Sequence, residues 1–172
     1  MDHLAIMKKS WGLTEKILQG EKTVESRWYK QKRSPWDRIK VGDTIYFKDS
    51  GEPVSAKAKV IKVFQFDNLD FQKTERILSK YGKYLGISDV MPEIKNYVLG
   101  KNYCIFIFFS NVEEIKPFEI NKTGYGLMTA WISLENIDEI KIMDNIDDLV
   151  KYGEKEYKKG RCKIIKSLAD IN

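Results

Sequence analysis

The residue types best suited to chemistry lie together between positions 20 and 27, where the chain reads Gly-Glu-Lys-Thr-Val-Glu-Ser-Arg. This is the pattern G-x-K-x-x-E-x-R. Side chains two positions apart on a strand share one face, so Glu25 and Arg27 are predicted to point the same way. Lys22 stands where that strand begins. The three charges therefore surround one small volume, as they would in a ligand site or in an ion pair.

Two kinds of chemistry and one purely structural role are open to these groups. In a binding site, Lys22 would contact a phosphate or carbonyl oxygen while Arg27 orients Glu25. In a hydrolase, Glu25 would activate a water, and the two cations would stabilise an oxyanion or a phosphorane. As an exposed pair, Glu25 and Arg27 would contribute only about 0–1 kcal/mol to stability. The residues alone leave the three interpretations open.

Aromatic and basic residues are interleaved directly after this motif. Bases stack on aromatic rings while cations contact phosphates, so the mixture predicts a surface that binds nucleic acid. Its members are Trp28, Tyr29, Lys30, Lys32, Arg33, Trp36 and Arg38. The alternative is that Trp28 and Trp36 plug one end of a barrel and that the lysines are simply solvated.

Three further residues are candidates for the same surface. Trp11 is predicted at the mouth of the cleft, between the first strand and the first helix, although core packing would suit it equally. Lys122 and Tyr125 belong to a glycine-bearing loop, where backbone amides could approach a phosphate closely. An ordinary β-turn is the simpler explanation of that loop.

The strands that must hold these residues are short and separated by turns. Apolar patterns predict strands over residues 3–7, 23–28, 44–48, 54–66, 103–109, 111–120 and 130–142. Residues 103–109 are apolar on both faces and should form the most buried strand. Residues 29–42 form a long basic loop, and loops of that length are commonly functional. Turns at such short spacing are typical of a small β-barrel.

Helices are predicted around these strands. One precedes the motif and should end at Gly20, which suits the left-handed conformation. An amphipathic helix is predicted over residues 70–84, and Pro92 opens a short one that ends at Gly100. Asp144 or Asn145 can cap a final helix whose last turns, residues 151–166, are basic. Those lysines suit the negative end of a helix dipole as well as a nucleic-acid surface.

The motif and its surroundings resemble the signature of the ASCH family, the ASC-1 homology domain, whose members are relatives of the PUA-like barrels. The residues that carry the resemblance are GEKTVESR, the short strand and helix before them, the Gly42-Asp43 turn and the following Thr44-Ile45-Tyr46-Phe47. It covers about residues 3–66 and extends through Trp131, with residues beyond about 143 outside it. The resemblance implies an RNA-binding β-barrel whose cleft contains Lys22, Glu25 and Arg27.

Some members of this family cleave single-stranded RNA, and others hydrolyse an acylated cytidine amide. In the amidohydrolase relatives, a threonine three residues after the motif lysine is the proposed nucleophile, but this chain has Glu25 there. Thr23 is one residue from the lysine and should face away from it on an alternating strand. Amide hydrolysis by that route is therefore disfavoured. The expected function is binding of single-stranded RNA, a nucleotide or a nucleoside. The enzymatic alternative is a hydrolase of RNA phosphodiesters or of a nucleoside-like amide that uses Glu25 with Lys22 and Arg27.

Composition and charge are those of one domain with a polarised surface. The 172 residues are 42% apolar and 32% charged, with a net charge of +5. Residues 27–40 carry six basic side chains against one acid, whereas residues 135–149 are acidic. A third interpretation is therefore a regulatory module that recruits a protein partner through these surfaces. The fold class predicted is α+β, a mixed or antiparallel PUA-like barrel over residues 1–143 with a C-terminal helical extension over 144–172.

Several classes of protein and site are excluded by the sequence. The start lacks the apolar core of a secretory signal, and no stretch approaches the roughly 20 apolar residues that cross a bilayer. Cys104 and Cys162 are too few for a disulfide framework, so a cytoplasmic location is expected. His3 is the single histidine, which excludes catalysis by a histidine pair and a zinc site. We expect no metal and no cofactor, and the sequence leaves the oligomeric state open.

Overall fold

A computed structural model describes residues 1–87 and 91–142 of the chain. Its six strands are β1 (Asp2–Met7), β2 (Val24–Tyr29), β3 (Thr44–Asp49), β4 (Val54–Phe66), β5 (Tyr103–Phe118) and β6 (Trp131–Leu134). The helices are α1 (Leu13–Leu18), α2 (Phe71–Tyr81) and α3 (Met91–Val98), with 3₁₀ turns at Lys9–Trp11, Gly82–Tyr84 and Ile137–Glu139. None of the helices within the described ranges is long and apolar enough to cross a membrane.

The strands form one mixed sheet in the order β2-β5-β4-β3-β1-β6. Only β1 and β3 pair in parallel, and every other neighbouring pair is antiparallel. The sheet curls into a half-barrel, so the chain has the α+β architecture with a barrel-like sheet that the sequence predicted. Strands β2 and β6 are the two ends of this order, and the motif therefore lies on an edge strand.

The centre of the molecule is the first half of β5. Residues 104–107 of this strand are fully buried, as its apolar character on both faces predicted. Helix α2 packs on one side of the sheet, where the ring of Tyr81 meets Phe106 edge-on at 5.4 Å. The motif strand β2 pairs with the same part of β5, with Glu25 opposite Ile107 and Arg27 opposite Ile105. The fully buried part of β5 thus positions the motif.

Two of the predicted strands form a single strand in the structure. Residues 103–109 and 111–120 were expected to be separate, but β5 runs through Asn111, whose φ is 52°. Between the two positions that pair with Lys59 and Lys57 of β4, strand β5 contains one extra residue. Asn111 therefore lies in a β-bulge, which bends the strand without ending it.

The strand predicted over residues 130–142 stops early, at Leu134. Asn136 and Glu139 form a reciprocal capping box that begins a 3₁₀ turn in its place. The helix predicted from Asp144 or Asn145, the basic residues 151–166 and Cys162 lie outside the described residues. The division of the chain near residue 143 therefore stays a prediction.

Candidate functional site

Strand β2 carries the motif's carboxylate and guanidinium on one face, as the spacing predicted. Oε1 of Glu25 lies 2.9 Å from Nε of Arg27, and Oε2 lies 3.1 Å from Nζ of Lys22. The exposed fraction of the side chain is 2% for Lys22, 4% for Glu25 and 9% for Arg27. The sequence placed these charges together correctly, but it did not predict that all three would be buried.

The ammonium of Lys22 is directed into the protein. It donates to the backbone oxygens of Val24 at 2.7 Å and Leu85 at 3.1 Å, and it pairs with Glu25. An ammonium has three donors, so each of them has a partner. Burial lowers the pKa of Lys22, an effect that the nearby Glu25 carboxylate opposes. This arrangement leaves no donor of Lys22 for the phosphate or carbonyl oxygen expected from the sequence.

The turn that follows α2 covers Lys22. The amide of Thr23 donates to the backbone oxygen of Tyr84 at 3.0 Å, and Nζ of Lys16 donates to that of Gly86 at 3.0 Å. Gly86 has a φ of +65°, and a Cβ atom there would lie 2.9 Å from Cβ of Lys22. Sequence reasoning missed this turn, although a glycine just beyond an amphipathic helix was the available signal.

The guanidinium of Arg27 connects the edge strand β2 to the other end of the sheet. Its Nη1 donates to the backbone oxygens of Ile6 in β1 at 3.2 Å and of Ala130, next to β6, at 3.0 Å. Its Cζ lies 5.2 Å from the centroid of the Trp131 ring, a cation–π contact. Nη2 and Nε are buried and make no hydrogen bond among the described residues, although Nε lies 2.9 Å from Oε1 of Glu25 in an ion pair. Arg27 therefore has a structural role, and the two N–H groups of its Nη2 are left without an acceptor.

Above these three residues lies a cleft with a volume of about 690 Å³. Trp11 stands at its rim, as predicted, where it meets Tyr97 edge-on at 6.1 Å and donates from Nε1 to Glu93 at 2.9 Å. The apolar part of the lining includes Ile6, Met7, Leu13, Ile87, Ile94 and Met128. Sequence reasoning did not single out Tyr97 or Met128. Tyr97 could have been found as the exposed aromatic of a helix whose Ile94 and Val98 are buried.

The tryptophans of the motif region are not free to stack on a base. Trp28 is buried, with its ring edge-on to Phe106 and its Nε1 donating to Ser26. Trp36 is half-buried and packs edge-on against Tyr103. For these two residues the geometry matches the structural alternative, in which they fill the end of the barrel.

The basic residues of the loop are exposed, namely Lys30, Lys32, Arg33 and Arg38. Lys32 lies over the rings of Trp36 and Tyr103, at 5.2 and 5.8 Å from their centroids. The hydroxyl of Tyr29 donates to the backbone oxygen of Ser34, and burial raises the pKa of Tyr29 to about 12. The loop therefore carries exposed cations next to aromatic rings that are held in place by their own contacts.

Lys122 and Tyr125 do not reach the cleft. Nζ of Lys122 donates to the backbone oxygens of Leu127 at 2.9 Å and Thr129 at 3.0 Å, so it braces its own loop. Tyr125 is exposed at the turn of that loop. Among residues 1–87 and 91–142, no three histidine, cysteine or carboxylate side chains are grouped so that they could hold a metal ion.

The similarity of this chain to known proteins is clearer in its fold than in its sequence. No protein-family model matches the chain, and no curated protein matches it significantly. Among solved structures, the ASCH protein of Zymomonas mobilis superposes with a TM-score of 0.53 at 19% identity, over 67% of this chain and 71% of that one. A point mutant of the same protein gives 0.59 at 17% identity, over 87% and 96% of the two chains.

The chain has an ASCH-like fold. A second point mutant of the Zymomonas protein agrees, with a TM-score of 0.59 at 16% identity over 88% of this chain and 95% of that one. The resemblance inferred from the GEKTVESR segment is therefore confirmed at the level of the fold. In this ASCH-like fold, the buried motif lies where α1, β2 and the turn after α2 meet, and β1 and α3 help to line the cleft above it.

Proposed function

We propose that this protein binds single-stranded RNA and that a base of the RNA enters the cleft above Lys22, Glu25 and Arg27. The observation that carries the proposal is the contrast between the floor and the walls of the cleft. At the floor the three charges are paired with one another and with backbone oxygens. At the walls, aromatic and apolar side chains predominate. A flat, largely neutral group fits such a site better than a phosphate.

The ASCH-like fold supports the RNA part of this proposal, because domains of this type generally bind RNA. The phosphates of the strand would then contact the exposed cations of the basic loop, outside the cleft. Proteins that recognise single-stranded RNA commonly stack its bases on aromatic rings, and Trp11 and Tyr97 offer such rings at the rim.

Hydrolysis has less support from this geometry. A general base must reach the proton that it removes, directly or through one water. Both carboxylate oxygens of Glu25 lie within 3.1 Å of a cation, and the side chain is almost completely buried. The donors of Lys22 are all engaged, so they are not available to a developing oxyanion. Binding is therefore the function that the site supports best.

Fluorescence anisotropy with a labelled, random-sequence RNA hexamer at low salt tests this function. We expect saturable binding, and Tyr97→Ala should weaken it about tenfold, since stacking on one aromatic ring contributes roughly 1–3 kcal/mol per base. Tyr84→Ala is the matched control, because Tyr84 is 39% and Tyr97 45% exposed, and only Tyr97 lines the cleft. The proposal fails if the hexamer does not bind, or if the two variants bind it equally well.

A further inference from the structure

A second cavity adjoins the cleft on the side of the basic loop. Its volume is about 540 Å³, and Tyr29, Arg33 and Ser34 line one side of it while residues 126–131 line the other. Both volumes fall in the range of roughly 300–1,000 Å³ that is usual for ligand sites. Met128 and Ala130 line the cleft as well as the second cavity. The two spaces therefore meet at this short segment.

The segment between the two cavities carries an apolar ridge, which consists of Leu127 and Met128. Their side chains are 96% and 95% exposed, although both are large and apolar. Single exposed apolar residues are common, but adjacent ones that flank two cavities mark a surface that contacts a ligand or a partner. Met128 faces both cavities, whereas Leu127 faces only the second.

The ridge is held in a defined position by its own loop. Lys122 donates to the backbone oxygens of Leu127 and Thr129, and the Thr129 hydroxyl donates to that of Tyr125. Gly126 takes a φ of +81°, which a glycine adopts without strain. These contacts hold the backbone of the loop from which the two exposed apolar side chains project. They also explain the position of Lys122, which binds the loop and not the ligand.

The charge of the two cavities differs. In the cleft, the cations of the floor are paired internally, and at the rim Lys8 pairs with Glu93 at 3.1 Å. In the second cavity, Arg33 is exposed, and it belongs to the loop between β2 and β3, whose residues 30–42 include five basic side chains and one acidic one. A phosphate is therefore attracted to the second cavity and not to the cleft floor.

We propose that the second cavity is a subsite for a second nucleotide of the same RNA strand. In this subsite Arg33 contacts the phosphate that joins the two nucleotides. The ridge of Leu127 and Met128 inserts between their bases, as apolar wedges do elsewhere in nucleic-acid recognition. The inference rests on the proposed function and makes it more specific. The ligand is a strand of at least two nucleotides, with one base on each side of the ridge, rather than a free nucleotide.

Two variants that change only the second cavity test this subsite. Arg33→Gln should weaken binding of the random-sequence hexamer about fivefold and reduce the slope of log affinity against log salt by about 0.7, the value for one phosphate contact in a single strand. Leu127→Ser should weaken binding about fivefold with no change in that slope. The affinity of both variants for a mixture of the four 5′-mononucleotides, measured by competition, should stay within about twofold of the wild-type affinity, because the cleft is intact.

Matched controls are Lys116→Gln and Leu99→Ser, which remove an exposed cation and an exposed apolar side chain from positions outside both cavities. The subsite is refuted if Arg33→Gln and Leu127→Ser behave like these controls while the hexamer still binds, and the proposed function then stands. It is refuted as well if both variants weaken mononucleotides as much as the hexamer. If neither the hexamer nor the mononucleotides bind the wild type, the proposed function and the subsite both fall.

Discussion

The carboxylate of Glu25 balances two buried cations at the floor of the cleft. Lys22 and Arg27 lie within 3.1 Å of it, and no other carboxylate is paired with either of them among the described residues. A buried charge that loses its partner is costly, because the surrounding protein cannot replace the hydration that the charge gave up. At the scale of single residues, stability therefore depends on Glu25 more than on any surface ion pair.

Glu25→Gln keeps the shape of the side chain and removes its charge. We expect the free energy of unfolding to fall by about 3 kcal/mol, since two buried cations then lack their counter-charge. Urea denaturation followed by circular dichroism measures this change. Glu113→Gln is the control, because Glu113 pairs with Lys57 at a similar 2.9 Å but at an exposed position, and it should cost less than about 1 kcal/mol. Equal losses in the two variants would refute the structural role of Glu25.

His3, the single histidine, lies in a buried polar network. Its Nε2 is 3.0 Å from Oδ2 of Asp43 and its Nδ1 is 3.0 Å from Oγ of Ser133. A carboxylate only accepts, so Nε2 carries the proton and Nδ1 accepts from the serine hydroxyl. Burial lowers the pKa of His3, although Asp43 opposes that shift. Burial also opposes ionisation of Asp43, but hydrogen bonds from Met1, the Lys40 amide and His3 hold its pKa below the usual value.

These shifts predict how stability depends on pH. Below the ordinary histidine pKa of 6.5, the unfolded chain binds a proton at His3 that the folded chain does not, so acidification favours unfolding. Stability should be level above pH 7 and fall between pH 6.5 and 5, by at most about 1.4 kcal/mol per pH unit. The term from Asp43 is lost only at more acidic pH, below its ordinary value of 3.8.

Thermal unfolding of the wild type and of His3→Gln between pH 8 and 5 separates these terms. The variant has no histidine left, so its stability should be nearly independent of pH across that interval. A wild type that becomes more stable between pH 6.5 and 5 would show that the folded protein binds the proton instead. The prediction for His3 would then be wrong in sign.

At the scale of elements, the turn after α2 determines whether the motif lysine is buried. Residues 84–86 supply two backbone oxygens to groups of the motif segment, from Tyr84 to Thr23 and from Leu85 to Lys22. The backbone can approach this closely because Gly86 has no side chain. The cleft floor is thus made by two elements, the start of β2 and this turn, and neither alone would enclose an ammonium.

Gly86→Ala should destabilise the protein by more than its backbone conformation alone explains. An alanine at positive φ costs about 1 kcal/mol, and contact with Cβ of Lys22 should add about 1–3 kcal/mol. Gly51→Ala is the control, since Gly51 has a φ of +83° but no atom within 4 Å of the added Cβ. The difference between the two variants in urea denaturation isolates the packing term, and a difference near zero would contradict the close approach.

At the scale of the whole molecule, the positive charge is concentrated on the loop between β2 and β3. Residues 27–40 contain six basic side chains and one acidic one, and the five basic side chains that lie on the loop are all exposed. Each RNA phosphate that is neutralised releases counterions, so affinity for a single strand should fall steeply as salt rises. Charge placed next to the cleft should matter more than the net charge of the chain.

Reversing two charges on this loop tests that expectation. Lys32→Glu with Arg33→Glu should weaken hexamer binding by at least about tenfold and flatten its salt dependence. Lys80→Glu with Lys83→Glu changes the net charge equally, and these lysines line neither the cleft nor the second cavity. Similar losses in both double variants would mean that only net charge attracts the RNA. Anisotropy titrations from 25 to 250 mM salt, roughly a tenfold range, provide the comparison.

The local features of this protein follow from its sequence. The motif lies on a strand with Glu25 and Arg27 on one face, and β4 was predicted with its observed ends. These features depend on alternation and turn residues within short stretches, so the amino-acid pattern is sufficient. The resemblance to the ASCH family also rests on a local signal, the GEKTVESR segment, and it predicted the fold correctly.

The burial of the motif and the place where a ligand could enter were determined only by the tertiary structure. Lys22 is covered by Leu85, 63 residues away, and Arg27 is held by Ala130, 103 residues away. The bulge at Asn111 and the meeting of two cavities at Met128 also depend on how the sheet curls. Such contacts join residues whose separation no periodic pattern encodes, because they form only when distant strands and turns pack together around one core.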